Sequence, residues 1–195
     1  PMHHDWLPNV KGKKILGVGA VGGQQMAILA ALGAEMTLLD NSQKQLDGDE
    51  LVAQREKYYI RLVKSDMTQR FPLPDNYFDL IINPMSLVYV RSVEPVFNEC
   101  SRVMKTGGVS LSGLDNGLNF AFDDEDGKLM FPLPLDPLED KEQYDYMARN
   151  NYGIQFTHTI SEQLNGMIPG SYTQLRAYET GRNIVSRLLL EKTNT

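Results

Sequence analysis

Short apolar runs alternate with more polar stretches through the first part of the chain, up to about residue 115. Each run contains Leu, Ile or Val, and four of the five are followed directly by Gly, Asp or Asn, which is typical of buried parallel strands. The pattern predicts five strands: Lys13–Val18, Glu35–Leu39, Tyr59–Val63, Phe78–Ile82 and Val109–Leu114.

Three helices are predicted between these strands: Gln24–Leu32, the segment from Ser42 to Lys57, and Glu94–Lys105. Ser42 and Gln45 form a capping box at the start of the second helix. Pro95 lies in the first turn of the third helix, where a missing N–H costs nothing, and Gly107 with Gly108 is expected to end it. This alternation predicts an α/β fold with a doubly wound, mostly parallel sheet.

The chain changes character after residue 115. Residues 116–152 are acidic and contain the proline-rich stretch "FPLPLDP", so we expect an irregular insertion with a short helix at Lys141–Arg149. Thr159 and Glu162 form a second capping box, which predicts a helix at Ile160–Met167.

Two β-like runs, Thr173–Glu179 and Asn183–Leu190, follow and are separated only by "TGR". Such a short connection requires an antiparallel hairpin. Together these elements predict a single domain over residues 1–195, with a seven-stranded sheet that ends in an antiparallel C-terminal hairpin.

A glycine pattern follows the first predicted strand. Gly17, Gly19 and Gly22 have the G-x-G-x-x-G spacing of a nucleotide-binding loop. Parallel strands end at one edge of the sheet, where ligands bind, so this loop should share a crevice with Asp40, Asp66 and Asn83. The loop alone fits either NAD or S-adenosylmethionine.

Charge and composition exclude several classes of partner. The net charge is −6, and residues 115–150 hold ten acidic against three basic residues. Lys and Arg are scattered elsewhere, so nucleic acid is not an expected partner. No apolar run is long enough for a membrane span, and no metal site is predicted. The single cysteine, Cys100, fits a buried position in a cytoplasmic protein. No oligomeric state is indicated.

Four segments carry a family resemblance: "ILGVGAVGG", "LLDNS", "SDMTQRFPLPDNYFDLIINP" and "ECSRVMKTGGVSLSG". Through them the chain resembles the class I S-adenosylmethionine-dependent methyltransferases along almost its whole length. The segment "GGQQMAILAALGAEMTLLDNSQKQL" is similar to a branch of bacterial members with a Gly-Gly-Gln-Gln loop. The resemblance implies a Rossmann-like sheet with an antiparallel seventh strand, S-adenosylmethionine as cofactor, and methyl transfer to a small-molecule acceptor.

The resemblance also assigns roles along the crevice. Asp40 would accept hydrogen bonds from the ribose hydroxyls, Asp66 would accept from the adenine amino group, and Met67 would pack on the ring. A turn without a ligand is the alternative for the glycines, and a turn aspartate is the alternative for Asp66. The implied cofactor-binding residues are Gly19, Gly22, Gly23, Gln25, Asp40, Asn41, Ser42, Asp66, Met67, Asn83 and Met85.

Methyl transfer from a sulfonium depends mainly on aligning the acceptor with the methyl group and does not require a set of catalytic residues. No such set is evident in the sequence. His158 and Tyr89 are the candidate bases or substrate contacts, and each has a structural alternative in the core. Residues 116–152 are interpreted as a substrate cap over the crevice or as a solvated loop. An acidic cap would favour a neutral or cationic acceptor.

Two positions differ from the family pattern. Gly17 stands where these enzymes usually carry an acidic residue, and Val21 where they carry glycine. These differences leave a non-catalytic S-adenosylmethionine-binding domain as one alternative and an NAD(P)-linked oxidoreductase as another. Against the oxidoreductase, no tyrosine has a lysine four positions later, as the pair of short-chain reductases requires.

Overall fold

The fold is centred on five parallel strands. The computed structural model describes residues 9–19, 24–115, 122, 127–167, 172–180 and 183–192. The parallel strands lie in the order β3-β2-β1-β4-β5, which confirms the predicted Rossmann-like sheet. Their bounds are β1 Lys14–Val18, β2 Glu35–Asp40, β3 Ile60–Lys64, β4 Phe78–Asn83 and β5 Met104–Asp115.

Helices pack on both faces of this sheet. Their bounds are α1 Gln24–Ala31, α2 Gln43–Glu56, α3 Glu94–Val103, α4 Lys141–Arg149 and α5 Ile160–Met167, with a 3₁₀ turn at Ser86–Tyr89. The strand order reverses between β1 and β4, and a ligand crevice is expected at such a switch point.

Alternation along β1 shows how the two faces are filled. Leu16 and Val18 are fully buried in the cluster that contains Phe97 and Cys100 of α3. Ile15 points the other way, into the cluster that contains Met26 and Leu29 of α1. Because both faces are covered by helices, the strand is apolar at nearly every position.

The predicted capping signals are present. Ser42 Oγ accepts a hydrogen bond from the Gln45 N–H at 3.4 Å. Glu162 Oε2 accepts from the Thr159 N–H at 2.7 Å, while Thr159 Oγ1 accepts from the Glu162 N–H at 3.1 Å. The second pair is a complete capping box at the start of α5.

The predicted end of α3 is wrong. The helix ends at Val103 rather than Lys105, and β5 begins at once, with Met104 paired to Phe78. The register then shifts, because the next pair joins Leu80 to Val109. Gly107, with φ +74°, belongs to this irregularity inside the strand and does not stop the helix.

Two strands near the C-terminus pair antiparallel. They are β6 Tyr172–Thr180 and β7 Asn183–Lys192, and β7 also runs antiparallel to β5, from Val109 opposite Glu191 to Asp115 opposite Val185. Across the described ranges, no helix combines the length and apolar character that crossing a bilayer demands.

Candidate functional site

The candidate site lies at the carboxyl edge of the sheet, which is defined here as the edge where β1 to β5 end. Gly19 follows β1 with φ +57°, in the left-handed region that favours glycine. Its N–H donates to the Leu39 carbonyl at 2.9 Å, which ties the turn to the end of β2. A Cβ on Gly19 would lie 2.5 Å from the Cβ of Ser86, so this close approach also requires glycine.

The other predicted members of the glycine loop are less informative. Gly22 and Gly23 lie outside the described residues. Gln25 is in the first turn of α1 and is exposed. Gly19 is therefore the one predicted loop glycine whose surroundings are described. The group that lies close to it is the side chain of Ser86.

Asp40 is the last residue of β2 and is half-buried. Its Oδ1 accepts a hydrogen bond from the Ser42 N–H at 2.7 Å. Asn41 and Ser42 follow and are exposed, and the Ser42 hydroxyl is used as the cap of α2. Asp40 is thus oriented by its own turn through one oxygen, while the other oxygen makes no hydrogen bond to the described part of the chain.

Asp66 and Met67 follow β3. Asp66 Oδ1 accepts from both the N–H and the hydroxyl of Thr68, each at 2.8 Å. Asp66 therefore stabilises its own turn, which is the alternative stated in the sequence analysis. As in Asp40, only one carboxylate oxygen is used. Met67 reaches toward β1, since its methyl carbon would lie 3.3 Å from a Cβ on Gly19.

Asn83 ends β4 and is only 2% exposed. Its Oδ1 accepts from the Ser86 N–H at 3.2 Å and lies 2.7 Å from the Ser86 hydroxyl. A backbone N–H can only donate, so the carbonyl side of the Asn83 amide must face Ser86. The amide nitrogen, Nδ2, is buried and has no hydrogen-bond partner among the described residues.

Ser86 is the site residue that the sequence interpretation missed. It is 2% exposed, and its hydroxyl also lies 3.1 Å from the Val18 carbonyl and 3.9 Å from the Met67 sulfur. It therefore joins the ends of β1, β3 and β4. An Asn side chain often accepts from an N–H two or three residues later, so the spacing of Asn83 and Ser86 was a usable signal.

Met85 lies between these two residues with φ +65°, a conformation that is uncommon for a residue with a side chain. Gly113 of β5 makes room for it, because a Cβ on Gly113 would lie 2.8 Å from the Met85 Cγ. The turn after β4 is thus held from both neighbouring strands, by Val18 and by Gly113.

The two candidate bases lie beside the 3₁₀ turn. His158 is 7% exposed, and its Nε2 lies 3.1 Å from the Leu87 carbonyl. Because a carbonyl only accepts, Nε2 carries the hydrogen and Nδ1 is the nitrogen left for proton transfer. Tyr89 is 50% exposed, and its ring lies 3.5 Å from where a Cβ on Gly153 would be.

The segment that contains His158 joins this turn to the interpreted cap. The Phe156 N–H donates to the Val88 carbonyl at 2.7 Å. The Leu135 N–H donates to the Thr157 hydroxyl at 2.6 Å. Leu135 of the interpreted cap is therefore connected to the turn after β4 through Thr157 and the main-chain hydrogen bond of its neighbour Phe156.

An arginine neutralises part of the acidic insertion. Arg91 donates to Asp136 at 2.8 Å and to Glu139 at 2.6 Å. Within the insertion, Lys141 pairs with Asp145 at 2.5 Å, and Phe131, Leu135 and Met147 form a small apolar cluster. The described part of the insertion is folded and partly neutralised, so its formal charge overstates the field that it creates.

One buried acid lies behind the carboxyl edge. Asp49 of α2 is 2% exposed, and burial, with a further contribution from Asp40, raises the pKa of its carboxyl to about 6. The negative charge of Asp40 thus acts on the buried carboxyl group of Asp49 in α2. Within the described ranges, no cluster of three or more His, Cys, Asp or Glu side chains could hold a metal ion.

Comparisons with known proteins point in one direction. The family described as "Methyltransferase domain" matches residues 16–111. The uncharacterized methyltransferase YbaJ of Bacillus subtilis is 37% identical over 182 residues, which cover 90% of this chain and 71% of that protein.

Two further matches extend the comparison. A sterol 24-C-methyltransferase of Pneumocystis carinii is 33% identical over 112 residues, covering 52% of this chain and 28% of that protein. The crystal structure of an S-adenosylmethionine-dependent methyltransferase from Mesorhizobium loti superposes with a TM-score of 0.76 at 19% identity, covering 96% of this chain and 94% of that one. The structural match shows a shared fold.

Proposed function

Because this chain belongs to the class I S-adenosylmethionine-dependent methyltransferases, we propose that it transfers a methyl group to a small-molecule acceptor by in-line displacement. Family membership makes the protein an enzyme and S-adenosylmethionine its cofactor. The non-catalytic domain and the NAD(P)-linked oxidoreductase are therefore not retained. The residues at Gly17 and Val21 are variations within the family.

Observations at the carboxyl edge support this cofactor. Asp40 is fixed through one oxygen, which leaves the other to accept from ribose hydroxyls. Asp66, Met67 and Asn41 would surround the adenine, and Gly19 would allow a close approach of the ligand to the backbone. S-adenosylmethionine supplies, when bound, a methyl group on a positively charged sulfur.

The observation that carries the acceptor proposal is the unpaired amide nitrogen of Asn83. Its carbonyl oxygen is taken by Ser86, so Asn83 offers two N–H donors and no acceptor. A buried donor without a partner is costly, and an oxygen atom of a ligand would satisfy it. We infer that Asn83, which the resemblance places among the cofactor-binding residues, instead holds an acceptor that carries an oxygen function near the atom to be methylated.

The rest of the pocket would align the acceptor and exclude water. Alignment of two reactants can lower a barrier by ~7–11 kcal/mol. Where the nucleophile enters protonated, Nδ1 of His158 is the nearby base, and a base adds about 10²–10⁴-fold. Tyr89 and Met85 would contact the acceptor.

A neutral acceptor fits the surroundings best. Two carboxylates of the insertion are paired with Arg91, which weakens the argument for a cation. The matched relative that is named for carbon methylation of sterols supports an apolar acceptor, although this chain spans only 28% of that protein.

We also propose the wider setting of this activity. Residues 1–195 would form one methyltransferase domain, with residues 116–152 as its substrate cap. The antiparallel register of β7 against β5 supports a seven-stranded sheet with a C-terminal hairpin. A cytoplasmic protein that does not bind nucleic acid is consistent with the buried thiol of Cys100 and the acidic charge.

The test is transfer of label from methyl-tritiated S-adenosylmethionine to a panel of phenols, enols, apolar alkenes and amines. The informative variant is Asn83→Asp, which keeps an acceptor for the Ser86 N–H and removes both amide donors. Transfer should fall about 100-fold, while the affinity for S-adenosylhomocysteine should change by less than about threefold.

The matched control is Asn98→Asp on the exposed side of α3, which should leave both quantities unchanged. Transfer only to the classes without an oxygen function, the alkenes and amines, or full transfer by Asn83→Asp, would show that Asn83 does not hold an acceptor oxygen. No transfer to any class of small molecule would contradict the proposed function itself.

A further inference from the structure

A second cavity lies at the amino edge of the sheet, which is defined here as the edge where β1 to β5 begin. Its volume is about 570 Å³, within the range of small-ligand sites. Lys14 at the start of β1, Glu35 at the start of β2 and Arg61 in β3 line it. Strands of five or six residues put roughly 15–20 Å between this cavity and the carboxyl edge.

The cavity concentrates positive charge in an acidic protein. Lys14, Lys57 and Arg61 line it against one carboxylate, that of Glu35, although the whole chain has a net charge of −6. In the part of the chain that the structure describes, none of the three cations forms an ion pair. By contrast, Lys13 and Lys105, at the same edge, both reach Asp79, at 3.8 and 2.9 Å.

Three tyrosine rings line the same cavity: Tyr58, Tyr59 and Tyr77. The ammonium group of Lys14 lies 4.0 Å from the centre of the Tyr77 ring, so this cation is held in place by an aromatic face. Tyr59 is 81% exposed, which leaves a large aromatic face available for stacking.

We propose that this cavity binds an anion attached to a planar ring, of about the size of a nucleotide. Lys57 and Arg61 would bind the phosphate or carboxylate group by charge-assisted hydrogen bonds. The exposed face of Tyr59 would stack on the ring. The site is independent of methyl transfer, because none of its residues lies at the carboxyl edge.

The test uses phenyl phosphate as the probe, followed by ¹⁵N–¹H correlation spectra of the whole chain, with and without saturating S-adenosylhomocysteine. Saturable shifts are expected for the amides of Lys14, Tyr59 and Arg61 in both conditions. Phenol supplies the ring alone and inorganic phosphate the charge alone, and each should bind more weakly than phenyl phosphate.

Two variants test whether binding depends on the residues of this cavity or only on positive charge at the protein surface. Arg61→Gln should weaken phenyl phosphate about tenfold, whereas Arg149→Gln, which removes an exposed arginine of α4, should not. Tyr59→Ser should weaken phenyl phosphate and leave inorganic phosphate unchanged. Equal losses in Arg61→Gln and Arg149→Gln, shifts only around Asp40 and Asp66, or no saturable shifts would each overturn the proposal.

Discussion

The two edges of the sheet differ in how many of their polar side chains have hydrogen-bond or ion-pair partners. At the carboxyl edge, Asp40, Asp66 and Asn83 each use one side-chain oxygen within their own turn and leave the other polar atom without a hydrogen-bond partner among the described residues. At the amino edge beside β4 and β5, the charged groups pair with one another. Under the proposed function, the cofactor and acceptor would supply the partners missing at the carboxyl edge, whereas the ion pairs beside β4 and β5 hold the fold.

Arg102, at the end of α3, is the centre of the paired edge. Its guanidinium donates to Glu99 at 2.5 Å, to the carbonyls of Phe71 and Leu73 at 3.0 and 3.1 Å, and to Asp75. Although burial raises it, hydrogen bonds from Arg102 and from the Phe71 N–H lower the net pKa of the Glu99 carboxyl below its usual value. These contacts hold the connection between β3 and β4.

The largest effect should come from Gly19→Ala, at the point where the carboxyl edge is most crowded. The new Cβ meets Ser86 at 2.5 Å in a left-handed conformation, so we expect a loss of about 2–5 kcal/mol in unfolding free energy. Affinity for S-adenosylhomocysteine should fall as well. Denaturant unfolding and calorimetry measure the two quantities.

Gly107→Ala is the matched control, because Gly107 also has a positive φ but has no atoms within 4 Å of a new Cβ. It should cost about 1–2 kcal/mol. Adding Ser86→Gly should restore part of the stability of Gly19→Ala. An equal cost for the two alanine variants would mean that Ser86 does not constrain Gly19.

The next effect should come from Arg102→Gln, which breaks the paired edge. Glu99 would be left partly buried without its cation, and we expect a loss of about 2–4 kcal/mol in unfolding free energy. Arg55→Gln, which removes an exposed pair, should change stability by less than about 0.5 kcal/mol. If Arg102→Gln weakened cofactor binding without destabilising the fold, the contrast between the edges would be wrong.

Asp40→Asn should weaken cofactor binding and leave stability nearly unchanged, the opposite of the result expected for Arg102→Gln. The neutral amide would lose the proposed charge-assisted hydrogen bonds to ribose, so S-adenosylhomocysteine should bind about 10–100-fold more weakly in calorimetry. The melting temperature without ligand should hardly change. Asp47→Asn, an exposed position of α2, is the control, and an equal loss there would remove Asp40 from the site.

The smallest effect concerns the buried acid behind the carboxyl edge. The pKa of Asp49 is about 6 in the folded protein and near 3.8 when unperturbed, so folding favours the protonated form. This stabilisation is complete below about pH 4 and is lost as the pH rises through about 6.

Asp49→Asn should therefore match the wild type near pH 4 and be more stable above pH 6, by about 1–3 kcal/mol. Denaturant melts across this range measure the difference. The exposed neighbour Glu50→Gln should show no such pH dependence. A constant difference between Asp49→Asn and the wild type would contradict the raised pKa.

The parallel core and the polar strand ends could be predicted from the sequence, because both depend on residues that are close together in the chain. Apolar runs mark strands, and the polar residue after each run must lie at the carboxyl edge. This placed Asp40, Asp66 and Asn83 correctly along the fold. Their ligand roles stay predictions.

The rest depends on contacts that span long distances in sequence. Ser86 meets Val18 and Gly19, and Arg91 meets Asp136, and no periodicity relates these positions. The predicted end of α3 is wrong because Gly107 and Gly108 resemble a helix stop signal. Met104 had already left the helix to pair with Phe78, and pairing between strands overrides a local stop signal.

If residues 116–152 cap the acceptor as proposed, the hydrogen bonds from Phe156 and His158 to the 3₁₀ turn would link acceptor selection to cofactor affinity. Ser86, the first residue of that turn, lies close to Gly19, so a shift in the cap would be transmitted to the glycine turn. An acceptor that settles the cap would then tighten the hold on the cofactor, and the reverse must hold by linkage. Remodelling the cap for a new acceptor would change both affinities together.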